Sequence, residues 1–135
     1  EGFARILAAR KGLLGQGAHV VGPCTHGDAC PMAGKDWCHF KQRVQRSRAH
    51  MHGKGARVPY EDEPYGWLAV SRNPVNAEGG RVVAQPIVGK TGVQVKVCDV
   101  DGLSTITVPA REKANFKQAK KLVWGVRWTP TPPSV

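Results

Sequence analysis

The stretch 93–108, VQVKVCDVDGLSTITV, decides the fold of this chain. Valines at 93, 95 and 97 alternate with Gln94 and Lys96, and this period of two predicts a β-strand with one buried face. Asp101-Gly102 is a strong signal for a hairpin turn, after which Leu103–Val108 supplies the returning strand. If the first strand continues to Cys98, that cysteine lies on the face opposite to the valines.

Other helices and strands are predicted on both sides of this hairpin. Apolar residues at helical spacing from Phe3 to Leu14 predict a helix that packs on a sheet and ends near the glycines at 12, 15 and 17. A second helix, with its charge facing outward, is predicted from Lys35 to about His52. The remaining predictions are strands at 19–22, 65–71 and 81–88, a solvated acidic turn at 61–63, a loop at 73–80, a closing helix at 113–124, and an extended, poorly ordered tail at 129–135.

The charge of the chain points to a polyanionic partner. Twenty Lys and Arg residues face ten Asp and Glu residues, which gives a net charge of +10. Nucleic acid is the leading candidate, and a protein that is merely basic is the alternative. Trp37, Phe40 and Trp67 could stack on unpaired bases, although such aromatics are more often core residues. The candidate RNA-binding residues are Lys35, Lys41, Arg43, Arg46, Arg48, Lys54, Arg57, Lys117, Lys120 and Lys121.

The cysteines form one clustered trio, Cys24, Cys30 and Cys38, and a distant fourth, Cys98. The C-x5-C-x7-C spacing lacks the tight pairs typical of structural zinc sites, so zinc is possible but not favoured. Disulfides would need an oxidising compartment, and unrelated buried thiols would not cluster in one Gly- and Pro-rich loop. A loop with one remote ligand can wrap an iron–sulfur cluster, and His26 or His39 could replace a cysteine. The residues alone therefore predict a thiolate site for a soft metal.

The cysteine segment 20–40, VVGPCTHGDACPMAGKDWCHF, resembles the methyltransferase-like family of mitochondrial small-ribosomal-subunit protein twenty-two and its bacterial relatives. Tyr60–Glu63, Leu68–Arg72, Cys98 and Lys120–Gly125 match the family in the same order. The resemblance implies the C-terminal part of an α/β, Rossmann-like class I methyltransferase fold with a cysteine-rich metal loop and antiparallel β-hairpins. It further implies that Cys24, Cys30, Cys38 and Cys98 ligate a [4Fe-4S] cluster, with zinc as the alternative.

The functional expectation that follows is an assembly factor or component of the mitochondrial small ribosomal subunit. Its expected partners are small-subunit rRNA, ribosomal proteins and an N-terminal methyltransferase-like half, with no membrane. The expected location is the mitochondrial matrix, with the bacterial cytoplasm as the alternative. The rival function is an S-adenosylmethionine-dependent rRNA methyltransferase whose catalytic half is absent here, because Gly12-x-x-Gly15-x-Gly17 precedes a strand and is not a cofactor loop. This chain alone is predicted not to be catalytic.

These expectations divide the chain into four parts. Residues 1–22 end a methyltransferase-like α/β unit, residues 23–58 hold the cysteine-rich loop and the basic helix, residues 59–125 form antiparallel strands and the closing helix, and residues 126–135 are a flexible tail.

Overall fold

The structure is a computed structural model that describes residues 1–130 of the chain. These residues form three helices and nine strands, and six of the strands follow one another between α2 and α3. In chain order they are α1 (Gly2–Gly15), β1 (His19–Gly22), β2 (Phe40–Gln45), α2 (Arg48–Lys54), β3 (Tyr60–Tyr65), β4 (Ala69–Ser71), β5 (Gly80–Val82), β6 (Ile87–Val88), β7 (Gly92–Asp99), β8 (Gly102–Pro109), α3 (Lys113–Ala119) and β9 (Arg127–Trp128).

Strand β7 is the centre of a five-stranded sheet. It pairs with β8 along its whole length, and with β6 and β5 on its other side, and β9 adds to the outer edge of β5. The predicted hairpin is confirmed, with Asp99 paired to Gly102 and Val100-Asp101 between them. Gly102 begins β8 at a φ of 113°, a conformation that a residue with a side chain rarely adopts.

The two faces of β7 enter two different cores, as the alternation predicts. Val93, Val95 and Val97 are fully buried on one face, where Ala119 of α3 packs with them. Cys98 points to the other face and packs with Met32 and Val83, and Phe3 of α1 borders that second cluster. The register of one strand therefore directs Cys98 away from the main core and towards the cysteine loop.

The predicted helix from Lys35 to His52 is wrong for most of its length. Residues 40–45 form β2, which pairs antiparallel with β3 from Phe40↔Tyr65 to Gln45↔Tyr60. The mostly polar sequence of β2 is compatible with the periodicity of a helix and with that of a strand. Its hydrogen-bonded pairing with β3 makes it a strand. Within this segment only the part that belongs to α2 is helical. The Ser47 hydroxyl caps α2 by accepting a hydrogen bond from the His50 amide, and Gly55 ends the helix at a φ of 60°. We call residues 40–65 the arm.

Several other boundaries differ from the prediction. Residues 61–63 lie in strand β3 and not in a turn, and β4 covers only the end of the predicted strand 65–71. The predicted strand 81–88 is interrupted between β5 and β6, and the closing helix ends at Ala119. Within the predicted tail 126–135, Arg127–Trp128 pair with β5, while residues 131–135 lie outside the described part of the chain.

The prediction of a mixed α/β fold with antiparallel hairpins is confirmed. Every strand pair within residues 1–130 is antiparallel, so this part of the chain contains no parallel Rossmann-like sheet. None of the helices in the same residues has the length and apolar character needed to cross a membrane.

Candidate metal centre and nucleic-acid interface

All four cysteines line a single cavity of about 30 Å³. Cys24 and Cys30 come from the loop that follows β1, Cys38 precedes β2, and Cys98 lies near the end of β7. The rest of the wall is almost entirely apolar and consists of Phe3, Ile6, Leu7, Arg10, Pro23, Met32, Trp67 and Leu68. The fold thus brings the clustered trio and the distant fourth thiol together.

The surroundings of the thiols oppose their ionisation. Burial raises the pKa of Cys38 to about 12 and that of Cys98 to about 11, and negative charge on Cys24 and Cys30 adds to both shifts. Burial also raises the pKa of Cys24. Several thiolates can therefore share this cavity only when a strong positive charge offsets their mutual repulsion, which is what a bound metal supplies.

Two arginines fix the backbone around the cavity. Arg10 on α1 is 7% exposed, and its Nη2 donates hydrogen bonds to the carbonyl oxygens of His26 at 2.9 Å and Asp28 at 2.7 Å. Arg81 on β5 donates from Nε to the Pro23 carbonyl at 2.7 Å and from Nη1 to the Gly125 carbonyl at 2.8 Å. The cysteine loop, which has no helix or strand of its own, is held from two sides by these guanidinium groups.

Polar atoms without partners collect beside the thiols. His26 Nε2 lies 3.8 Å from Cys98 Sγ, while His26 Nδ1, Thr25 Oγ1 and Arg10 Nε are buried and have no hydrogen-bond partner among the described residues. Burial lowers the pKa of His26, so its ring is held neutral. Buried polar atoms are nearly always satisfied, so three unpartnered atoms beside the thiols set this place apart from the rest of the described interior.

The thiols do not surround a single ion in the described residues. No group of three or more His, Cys, Asp or Glu side chains within residues 1–130 is arranged to hold one metal ion. His39, the other alternative ligand, stacks its ring on Trp37 at 3.8 Å, and its Nδ1 lies 3.1 Å from the Trp37 carbonyl oxygen. The four cysteines therefore share a cavity without closing on its centre.

On the arm, acidic residues of β3 neutralise part of the basic charge. Arg43 binds Asp62 at 2.8 Å, and Glu61 binds both Arg46 at 3.0 Å and Lys54 at 3.2 Å. Hydrogen bonds from Arg46 and Lys54 lower the pKa of Glu61, and the hydrogen bond from Arg43 lowers that of Asp62. Three of the candidate RNA-binding residues thus have partners within the chain.

The other candidate RNA-binding residues are exposed and form no ion pair within residues 1–130. They fall at the end of the cysteine loop, on the arm, and on and just after α3. In chain order they are Lys35, Lys41, Arg48, Arg57, Lys117, Lys120 and Lys121.

The comparison with known families adds an identity to this geometry. A family model described as mitochondrial small ribosomal subunit Rsm22 matches residues 1–129. The chain belongs to the Rsm22 family. The predicted resemblance is confirmed, and the family name associates the chain with the small subunit of the mitochondrial ribosome and with a mitochondrial location. No curated protein matches the chain.

Sequence reasoning missed two residues of this Rsm22-family chain, Arg10 and Arg81. Arg10 had one signal, since it stands in the apolar stripe of α1, where a charged residue is out of place. Arg81 opens a strand and had no signal, because its partners Pro23 and Gly125 are distant in sequence. Both residues act through backbone carbonyls, which no pattern of side chains reveals.

Proposed function

We propose that this chain is an RNA-binding assembly factor or component of the mitochondrial small ribosomal subunit, and that Cys24, Cys30, Cys38 and Cys98 hold a structural [4Fe-4S] cluster. The observation that carries the proposal is the single apolar cavity lined by all four thiols. The cluster would join the cysteine loop to the end of β7, and so fix the segment from which the arm begins. Its contribution is a covalent tie between distant segments of a small domain.

The spacing of the cysteines supports a cluster more than zinc. C-x5-C-x7-C lacks the tight C-x2–4-C pairs typical of structural zinc sites. A loop with one remote ligand is a natural way to supply four thiolates to a cluster. The apolar wall also suits a cluster, because it keeps water from the sulfides.

A cluster that filled this cavity of about 30 Å³ would contact its walls on every side. Any adjustment on loading would fall on the wall with the least regular structure. The cysteine loop is the wall that can move, because residues 23–39 contain no helix or strand. We expect the loop to be protected from amide hydrogen exchange after loading and to exchange faster before it.

The cofactor is tested on protein purified without oxygen. We expect absorbance near about 400 nm together with iron and sulfide in about equal amounts, about four of each per chain. Cys98→Ser should abolish both, whereas Ala29→Ser, a change at an exposed position of the same loop, should preserve them. A colourless protein that contains zinc and no sulfide would overturn the cluster.

The exposed basic residues support rRNA as the ligand. Arg48 is the first residue of α2 and Arg57 follows the helix, and neither has an ion pair among the described residues. Replacing both with Ala should weaken binding to small-subunit rRNA and reduce the slope of log K against log salt by about 0.7–0.9 for each lost phosphate contact. The control is Arg5→Ala with Arg72→Ala, which removes the same charge elsewhere. Equal effects of the two pairs would contradict a specific basic surface.

The rival proposal is rRNA methylation, with S-adenosylmethionine bound by a methyltransferase-like half that pairs with this chain. The Rossmann-like sheet of such an enzyme is mostly parallel, whereas the strands within residues 1–130 pair antiparallel. We therefore assign any methyltransferase fold and cofactor site to that other half. Transfer of a labelled methyl group to rRNA by the two halves together, and not by this chain alone, would establish the enzyme.

A further inference from the structure

An aromatic pocket lies where the arm meets the body of the protein. It has a volume of about 300 Å³ and is open to solvent, and its walls are Phe40, Lys41, Gln42, Tyr65, Trp67, Trp124 and Gly125. Four of these residues are aromatic. Phe40 and Tyr65 are cross-strand partners at the base of the arm, and their ring centroids are 6.2 Å apart.

Two more aromatic rings, Trp37 and His39, do not line the pocket but lie beside its wall at Trp124. Trp37 and His39 stack with a centroid distance of 3.8 Å and an interplanar angle of 11°, and His39 meets the edge of Trp124 at 4.9 Å. Trp37 and Tyr65 are 41% and 43% exposed, so large aromatic faces are open to water at this place. Exposed aromatic surface beside a cavity is typical of a ligand-binding site.

Polar groups are present at the same place. Lys41 Nζ lies 5.5 Å above the ring of Trp124 and brings a positive charge to the pocket. Gln42 adds an amide group to the wall. A ligand that suits this pocket is flat, accepts hydrogen bonds and is attached to negative charge.

We propose that this pocket binds one unpaired nucleobase of RNA, with Tyr65 as the stacking residue and Lys41 as the contact to the neighbouring phosphate. The inference rests on the proposed function, and adds to it a site and a preference for single-stranded RNA. A nucleobase has two flat faces, carbonyl and ring-nitrogen acceptors, and a phosphate on either side. The net charge of +10 favours this negatively charged ligand over an uncharged aromatic compound or a peptide without acidic residues.

The test measures binding of the whole chain to a short single-stranded oligoribonucleotide, to the same oligonucleotide with one abasic position, and to a duplex of equal length. We expect the abasic oligonucleotide and the duplex to bind more weakly than the intact single strand. Tyr65→Ala should weaken binding of the intact strand by about 5-fold to 100-fold, with an unchanged salt slope, because the change removes stacking and no phosphate contact. Tyr65→Phe should restore most of the affinity.

Tyr60→Ala is the matched control. Tyr60 lies on the same strand and is also exposed, but its ring is covered by the Arg43 guanidinium at 4.0 Å and does not line the pocket. Lys41→Gln should lower the salt slope by about 0.7, as expected for one phosphate contact to a single strand. Equal losses of affinity for Tyr60→Ala and Tyr65→Ala, or equal affinity for the abasic and intact strands, would overturn the proposed base-binding role of the pocket. The proposal that the chain binds RNA would still stand. A chain that binds none of the three nucleic acids would overturn both proposals.

Discussion

Replacing Arg10 with Met should destabilise the protein through the cysteine loop. Methionine keeps the length and most of the apolar contact of the side chain, but it removes both hydrogen bonds to the loop, at 2.9 Å and 2.7 Å. The His26 carbonyl then has no donor in a buried site, at a cost of about 1–3 kcal/mol, while the Asp28 carbonyl can turn to water and costs less. The total is about 2–4 kcal/mol in the free energy of unfolding.

Thermal unfolding measures this loss, with about 3 °C in Tm for each kcal/mol in a domain of this size. The Tm should therefore fall by about 6–12 °C. Arg5→Met makes the same change at an exposed position of the same helix and should leave the Tm within about 2 °C. Arg10→Lys keeps the charge but cannot present the same fork of donors, so its Tm should lie between the two.

The same variant also tests the link to the proposed cluster. With Arg10 replaced by Met, a loaded cluster loses a positive charge close to Cys24, so iron should pass to a chelator faster than in the Arg5→Met protein. If Arg10→Met matched Arg5→Met in both Tm and iron retention, the reasoning about this guanidinium would be refuted.

Three further predictions concern the core, the arm and the cavity wall. Val95→Ala should cost about 2–3 kcal/mol in urea unfolding because Val95 is fully buried, whereas Val100→Ala, at a 65% exposed position, should change stability by less than about 0.5 kcal/mol. The folded-state pKa of Glu61 lies below its ordinary value of 4.5, so its ion pairs stabilise the arm above that pH and are lost as the pH falls through the lower, folded-state value. The protection of the β2 and β3 amides, corrected for the intrinsic exchange rate at each pH, should fall over that interval, and a Glu61→Gln protein with the same pH dependence would contradict this. Gly22→Ala would push its new methyl group into the indole of Trp67, at a cost of about 1–3 kcal/mol, and unchanged stability with unchanged tryptophan fluorescence would disprove the contact.

The central hairpin and the position of Cys98 could be predicted because both depend on local sequence. Alternation of valines fixes which face of β7 is buried, and the Asp101-Gly102 signal marks the turn to within one residue, since the observed turn is Val100-Asp101. The helix α1 was equally accessible, since its apolar stripe runs from Phe3 to Leu14 and its glycines stop it. In each of these cases the local preference and the tertiary packing agree.

The arm could not be predicted because its strands lack a buried face along most of their length. After Phe40, every residue of β2 is exposed, so no hydrophobic period distinguishes strand from helix. What decides is pairing with β3, in which Arg43 stands directly opposite Asp62. The acidic residues looked like a separate solvated turn because their partners are 7 to 19 residues away in sequence.

Arg81 connects the cysteine cavity with the aromatic pocket. It pairs with Cys98 in the sheet, and its guanidinium reaches Pro23, which precedes Cys24, and Gly125, which follows Trp124. One side chain therefore holds a wall of the cavity and a wall of the pocket in fixed relation. If the cysteine loop moves outward when a cluster is loaded, the Pro23 carbonyl moves with it and Arg81 transmits the shift to the segment that carries Trp124. Cluster loading and base binding should then be coupled, and Arg81→Met should remove the coupling, so that loaded and unloaded protein bind the single strand with equal affinity.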